Sequence, residues 1–222
     1  MSFVVTVDGP AGAGKSSVAK RLAKLLNIRY LDTGAIYRAV AYFLDKKGVV
    51  PSEGPALKEN VTSIGVRIEG ESLFVNGEEV TQFIRSQNVD CIVSRYAALE
   101  TVRNALLNLQ RNQAKDGALI AEGRDTGSVV FPDADIKFFL TASLEARAKR
   151  RYQELLGRGE AVVYQDVVRQ MYERDRTDSH REIAPLREPR GAIRIDTSSM
   201  EENKVVNELA FIIRSRITQD FA

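Results

Sequence analysis

Residues 3–26 constrain the fold more than any other stretch of the chain. Phe3-Val4-Val5-Thr6-Val7-Asp8 is an apolar, β-branched run, Gly9-Pro10-Ala11-Gly12-Ala13-Gly14-Lys15-Ser16-Ser17 follows it, and Val18, Leu22, Leu25 and Leu26 then recur at helical spacing. A buried parallel strand, a glycine loop and a helix account for that order. The loop fits G-x-x-x-x-G-K-[ST], framed by Gly9 and Gly14. Glycine at positions 9, 12 and 14 lets successive backbone N–H groups curl around a phosphate with no Cβ in the way. The helix beginning near Lys15 adds unpaired N–H donors and the positive end of its dipole. Lys15 supplies a mobile cation for the outer phosphates, and Ser16 the hydroxyl that would hold Mg²⁺. Residues 9–17 are therefore expected to bind ATP or GTP.

Composition narrows the chemistry available beside that loop. With 222 residues, 44% of them apolar and 28% charged, the chain can bury a sizeable core as one globular domain. The near balance of 32 basic against 30 acidic residues argues against a general nucleic-acid binder or a polybasic membrane anchor. Cys91 is the single cysteine, so no internal disulfide and no cysteine-rich metal site is available, and it is expected to be a small buried apolar residue. His180 is the single histidine and is expected to be exposed or to pack, so chemistry falls to Arg, Lys, Asp and Mg²⁺. No charged leader and apolar run precedes the first strand, and no stretch approaches about 18 uninterrupted apolar residues. A soluble, cytoplasmic protein with no membrane partner is expected.

Along the chain, Ile28-Arg29-Tyr30-Leu31 is a short strand, and Asp32 or Thr33 caps a helix that stops by Gly48. Pro51 and Gly54-Pro55 mark a break. From residue 61 to 80 the periodicity turns from helical to alternating, with Asn76-Gly77 as a hairpin signal, and predicts a small antiparallel insertion. Residues 81–96 fit short helices and residues 99–115 one long helix. Ala118-Leu119-Ile120-Ala121 is a buried strand that delivers Glu122-Gly123-Arg124-Asp125 at its carboxyl end, where open α/β sheets bind ligands. A strand at 136–140, a helix opened by Ser143, a break at Gly157-Arg158-Gly159, a helix over 165–176, a strand at 192–196 and a C-terminal helix complete the pattern. Five core strands alternating with helices predict an α/β fold, a three-layer arrangement around a parallel sheet.

A phosphate loop alone does not decide what becomes of the triphosphate. Transfer between two anions gathers some five negative charges in a dry site, a need that fixed guanidinium forks meet better than solvated lysines. Arg124 stands at a strand's carboxyl end, Arg38 one turn into the second helix, and Arg174, Arg176 and Arg181 follow the Gly157-Arg158-Gly159 break. A switch GTPase would need Asn-Lys-x-Asp, whereas Asn203-Lys204 continues into Val-Val. A motor ATPase would end an apolar strand in an acidic pair, whereas Ala121-Glu122 leads into Gly-Arg-Asp.

The runs Val7-Asp8-Gly9-Pro10-Ala11-Gly12-Ala13-Gly14-Lys15-Ser16, Leu31-Asp32-Thr33-Gly34-Ala35-Ile36-Tyr37-Arg38 and Glu122-Gly123-Arg124-Asp125-Thr126-Gly127-Ser128-Val129-Val130-Phe131-Pro132, with Arg174-Asp175, Asp178-Ser179-His180-Arg181 and Ala184-Pro185-Leu186, resemble the bacterial cytidylate kinases in order and spacing over nearly the whole chain. The hairpin of residues 61–80 sits where that family carries its insertion. The resemblance implies a P-loop kinase fold with a helical lid, in three parts: a core over 1–32, 98–150 and 182–222, a monophosphate-binding region over 33–97, and the lid over 151–181. It implies transfer of the γ-phosphoryl of ATP to CMP or dCMP with Mg²⁺ by a monomer, the runner-up being another small-substrate P-loop kinase of the adenylate, UMP or shikimate type.

Residue by residue, the resemblance places Thr33 and Arg38 on the acceptor nucleotide, Arg38 on its phosphate. Ser94, Arg103 and Asp125 match residues that read cytosine, a carboxylate accepting from the N4 amino group and an arginine donating to O2 and N3. Arg124 and Arg174 match arginines on the transferring phosphates, Asp178 a contact to the ribose hydroxyls, and Arg181 a further acceptor contact. Lys15, Arg124 and Arg174 are the implied catalytic residues. Three positions depart from the family pattern: Thr177 and Ser179 replace arginines found in some members, and Glu122 stands where many have Asp.

Overall fold

The computed structural model describes residues 3–220. Its centre is β1 (Val4–Asp8), which lies between β6 (Leu119–Gly123) and β7 (Ile136–Thr141), with β2 (Arg29–Asp32) beyond β6 and β8 (Ile193–Asp196) beyond β7. Every pairing in this five-stranded sheet is parallel. After β1 the chain builds one side of the sheet through β2 and β6, then crosses to the other through β7 and β8. The loop leaving β1 therefore opens at the switch point, where a crevice forms outside the carboxyl ends of the strands.

Burial on both faces explains the near-continuous apolar character of β1. Val5 and Val7 point to one face and join Ile120, Phe138 and Leu140 beneath α1 (Lys15–Leu26) and α8 (Glu202–Asp220), packed through Val18, Leu22, Val205, Leu209 and Ile213. Val4 points to the other face with Leu31, Leu119 and Ala121, under α2 (Thr33–Lys46), α3 (Pro55–Thr62), α4 (Gln87–Ala97) and α5 (Glu100–Asn112). Both faces of the sheet are covered by helices, giving three layers. A third, smaller cluster of Ala148, Leu155, Val167 and Met171 holds α6 (Leu144–Gly157) against α7 (Tyr164–His180). Among the described residues no helix is long and apolar enough to cross a membrane.

The alternating stretch is a three-stranded antiparallel sheet of β3 (Val66–Glu69), β4 (Ser72–Val75) and β5 (Glu78–Glu79). Asn76 and Gly77 both take positive φ, 50° and 85°, as the hairpin signal requires. Asp32 is the cap of α2, its Oδ1 accepting from Ala35 N at 2.8 Å, and the Ser143 hydroxyl accepts from Ala146 N at the start of α6.

Several boundaries differ from expectation. Gly54-Pro55 does not only break the chain; Pro55 starts α3, where its missing N–H costs nothing. Residues 87–97 form one helix instead of short pieces, and the helix expected over 99–115 stops at Asn112. The helix expected to end near residue 176 runs to His180, taking Thr177, Asp178 and Ser179 into its last turn. Cys91 is exposed, because α4 buries Val89 and Val93 and turns the opposite face outward. His180 is exposed as expected.

A π-helical turn, Thr126–Val130, follows β6. Asp8, fully buried at the end of β1, holds it: Oδ1 accepts from Thr126 N at 2.8 Å and Oδ2 from Gly127 N at 2.7 Å. Burial pushes its carboxyl up to about 6, against the pull of these two hydrogen bonds. Removing the carboxylate leaves two buried N–H groups without acceptors, so Asp8→Ala is expected to lose about 2–4 kcal/mol of stability. Urea unfolding at unchanged slope measures this, and a loss below about 1 kcal/mol would mean that the turn has other support.

Candidate active site

The carboxyl ends of β1, β2 and β6 open into a cleft of about 660 Å³, walled on the far side by α4 and by the α6–α7 hairpin. Nine arginines and Lys15 line it against seven carboxylates. The cleft is thus an anion site by charge as well as by position.

The phosphate loop forms its floor. Ala11, Gly12, Gly14, Lys15, Ser16 and Ser17 face the cleft, while Gly9, Pro10 and Ala13 do not. Gly9 is required by packing: at φ 148°, a Cβ there would come within 2.0 Å of Leu140 O in β7. Ala13 is buried beneath α1. Pro10 contributes its carbonyl, which accepts from Lys15 Nζ at 2.9 Å. Burial lowers the Lys15 ammonium to about 7; Arg124 pushes the same way and Glu122 opposes it.

Glu122, the last acidic residue of β6, is buried behind the loop. Tyr30 donates its hydroxyl to Glu122 Oε1 at 2.9 Å, and the Ser16 side chain is also hydrogen-bonded to it. Burial raises the Glu122 carboxyl, and nearby Asp32 raises it further. Ser16, Glu122 and Asp32 are hard oxygen donors of the kind Mg²⁺ takes. Among the described residues no three acidic, histidine or cysteine side chains form a closed metal cage. That donor set suits an ion that keeps waters and shares its shell with substrate phosphates.

Beside the loop, the structure gathers all of Thr33, Arg38, Ser94, Arg103, Arg124, Asp125, Arg174, Asp178 and Arg181 on the same cleft. Thr33 donates to Glu122 O at 2.6 Å, tying α2 to β6. Asp125 lies between two arginines: Arg103 pairs with Oδ2 and Arg181 Nη2 reaches Oδ1 at 3.0 Å. The Arg103 guanidinium also lies over the Tyr37 ring, 5.3 Å from its centroid. Arg124 Nε donates to Asp178 Oδ2 at 2.8 Å. Burial raises the Asp178 carboxyl, but Arg124 and Arg174 outweigh it and hold the group below its ordinary value. Arg174 is the least satisfied cation. Its Nε is buried without a hydrogen-bond partner, its nearest ion-pair oxygen is Asp90 Oδ1 at 3.6 Å, and burial, with Arg124 and Arg38 beside it, lowers the guanidinium to about 10.

Sequence reasoning missed several residues here. Arg147 Nη1 donates to Ala11 O at 3.0 Å and pairs with Asp175 at 2.6 Å, so it fastens the α6–α7 hairpin to the phosphate loop. Gly12 leaves room for that contact, since a Cβ there would meet Met171 at 2.9 Å and Arg147 at 3.0 Å. Arg85 pairs with Asp32, and Arg151 with Asp90. Spacing held a signal for Asp90, which lies four residues before Ser94 on one face of α4, and both line the cleft. Thr177, one of the positions that depart from the resemblance, donates its hydroxyl to Glu173 O one turn back in α7.

A parallel sheet with a glycine phosphate loop at its switch point and an arginine-lined cleft above it is the fold of a P-loop kinase. The structure is similar to a gluconokinase from Sinorhizobium meliloti 1021, with a TM-score of 0.52 at 13% identity over 99% of this chain and 97% of that one. It is also similar to an uncharacterized protein from Eubacterium ventriosum ATCC 27560, with a TM-score of 0.55 at 14% identity over 96% and 99%. At those identities the likeness concerns the fold alone. The sequence model of the cytidylate kinase family matches residues 5–215. A cytidylate kinase from Clostridium tetani is 40% identical over 220 residues, 99% of this chain and 97% of the relative, and one from Exiguobacterium sp. is 44% identical over 216 residues, 96% of each. The chain belongs to the cytidylate kinase family.

Proposed function

We propose that this chain transfers the γ-phosphoryl group of ATP to CMP or dCMP, giving CDP or dCDP, with the phosphate loop as donor clamp and the arginine wall as acceptor site. The observation that carries this reading is the sharing of one cleft by a phosphate loop and an Arg103–Asp125–Arg181 group. An Asp125 carboxylate held by two arginines keeps lone pairs free for the cytosine N4 amino group, and the arginines can donate to O2 and N3. Uracil presents a carbonyl acceptor where cytosine has the N4 donor, so the carboxylate would face a second acceptor with no hydrogen between them. A coupled assay with ATP against CMP, dCMP, UMP, AMP and shikimate tests the reading. CMP should be favoured over UMP by about 100-fold or more in kcat/KM, and no turnover of CMP overturns it.

In the transfer, an oxygen of the acceptor phosphate attacks the γ-phosphorus as the bond to the β–γ bridging oxygen breaks, and ADP leaves. The acceptor is already anionic, so positioning and charge neutralisation carry most of the rate. Arg38 takes the acceptor phosphate, Arg124 and Arg174 the transferring group, and Lys15 the outer phosphates of the donor. Ser16, with Glu122 behind it, would hold Mg²⁺, which when bound neutralises charge on the donor phosphates. Asp178 is assigned to the ribose hydroxyls, Thr33 and Ser94 to the acceptor nucleoside. Residues 33–97 act as the monophosphate-binding region and 151–181 as a lid over a core of 1–32, 98–150 and 182–222. The separate apolar cluster of α6 and α7 supports a unit that moves as one body.

Two predictions follow from the electrostatics. Arg174 lines the cleft with its Nε unpartnered, so Arg174→Ala should lower kcat by about 10³-fold. An unchanged kcat at saturating CMP removes Arg174 from the transfer step. Lys15 titrates near 7 in the free protein, and donor phosphates beside it raise that value. At pH 8, ATP binding should therefore take up close to one proton, and affinity should fall as pH rises above about 7. Calorimetric titration in buffers of different ionisation enthalpy measures the uptake; a binding enthalpy independent of buffer would show that Lys15 stays charged throughout.

A further inference from the structure

One carboxylate in the cleft has no part in the reading above. Asp90 lies on α4 with its side chain 16% exposed, and its two oxygens meet arginines from three other helices. Oδ1 accepts from Arg38 Nη1 of α2 at 2.6 Å and lies 3.6 Å from Arg174 Nη1 of α7, while Oδ2 pairs with Arg151 of α6. Val89 and Val93 of the same helix are buried, so α4 cannot turn Asp90 away without undoing that packing. Burial raises the Asp90 carboxyl, but Arg38, Arg151 and Arg174 outweigh it and hold the group below its ordinary value. It is a full negative charge. Even so, it does not satisfy the cations around it, because the buried Arg174 Nε still lacks a partner.

We propose that Asp90 is a resident counter-ion that competes with the phosphate of the acceptor nucleotide for Arg38 and Arg174, and so sets acceptor affinity. The inference rests on the assignment of those two arginines to the acceptor and transferring phosphates. In the free protein the carboxylate keeps mutually repelling guanidinium groups gathered between α2, α4, α6 and α7. An arriving phosphate dianion must draw Arg38 and Arg174 from it and then sits near a like charge, while Arg151 remains as the partner of Asp90. Observed binding is the difference between the new contacts and the old ones. Asp90 is thus a positioning residue: none of its bonds changes in the reaction.

Asp90→Asn keeps the shape and removes the charge. Calorimetric titration of the full chain should show Kd for CMP lowered roughly tenfold, the fold-change of one charge-assisted contact. Kd for cytidine, which has no phosphate, should not change, and inorganic phosphate should bind more tightly. A purely structural role would weaken all three ligands together. Asp90→Ser, smaller and also neutral, carries the same expectation if the asparagine variant does not fold. Unchanged or weaker CMP binding overturns the inference, and so does equal tightening of cytidine. If Arg38→Ala loses CMP binding while neither Asp90 variant gains it, the inference fails and the kinase reading stands. Failure of the unaltered chain to bind CMP overturns both.

Discussion

Arginines gathered in a confined cleft repel one another, and this repulsion orders much of the structure. Seven of the nine cleft arginines have a carboxylate from a different element beside them: Arg103 on α5 meets Asp125 after β6, Arg124 after β6 meets Asp178 on α7, and Arg38 on α2 meets Asp90 on α4, while outside the cleft Arg147 on α6 meets Asp175 on α7. The pairs thereby bind the helices around the cleft to the sheet and to one another. Such pairs are not a strong source of net stability, because each charge must first be desolvated; what they do is make the wrong arrangement expensive, since a buried charge left alone costs about 3–5 kcal/mol. The arginine wall can therefore exist only in an arrangement close to the one that binds an anion.

Stability comes from elsewhere, and the division has a structural logic. The two large apolar clusters lie on opposite faces of the sheet, and β1 contributes to both through alternate residues. That places the start of the phosphate loop on a strand buried along its whole length, where the backbone is held from both sides. Asp8 extends the same rigidity sideways, because its carboxylate fixes the turn after β6 and with it the backbone that presents Arg124 and Asp125. The α6–α7 hairpin draws on neither large cluster and reaches the rest of the protein mainly through polar contacts, such as Arg147 to Ala11 O and Arg151 to Asp90. A unit joined by ion pairs in place of apolar packing is the kind that nucleotide binding can reposition.

Features governed by neighbours in sequence were legible before the structure. The phosphate loop, the Asp32 and Ser143 caps and the Asn76-Gly77 hairpin follow from local stereochemistry and appear where expected. The acceptor residues were reached by resemblance, and the structure brings them to one cleft. What local rules missed was decided by distant partners. Thr177, Asp178 and Ser179 favour turns, yet Asp178 stays in α7 with Arg124 as its partner. Cys91 has the small apolar character of a core residue, but Val89 and Val93 occupy the core side of α4. Asp90 and Arg151 are separated by 61 residues, and no periodicity joins them.

The two sides of the cleft handle charge by different means. At the phosphate loop, backbone N–H groups offer fixed dipoles at no cost in like-charge repulsion, and the loop's one cation, Lys15, is lowered to about 7 by burial and Arg124. Along the arginine wall the cations cannot be discharged in this way: even Arg174, lowered to about 10, remains protonated at neutral pH. Lysine can relieve crowding by giving up a proton, whereas arginine can relieve it only by acquiring an anion. A carboxylate supplies that anion while the cleft is empty, and a phosphate supplies a better one, with more charge and more oxygens to meet planar guanidinium forks. The chain thus places lysine where charge follows the ligand and arginine where charge must already be present to receive it.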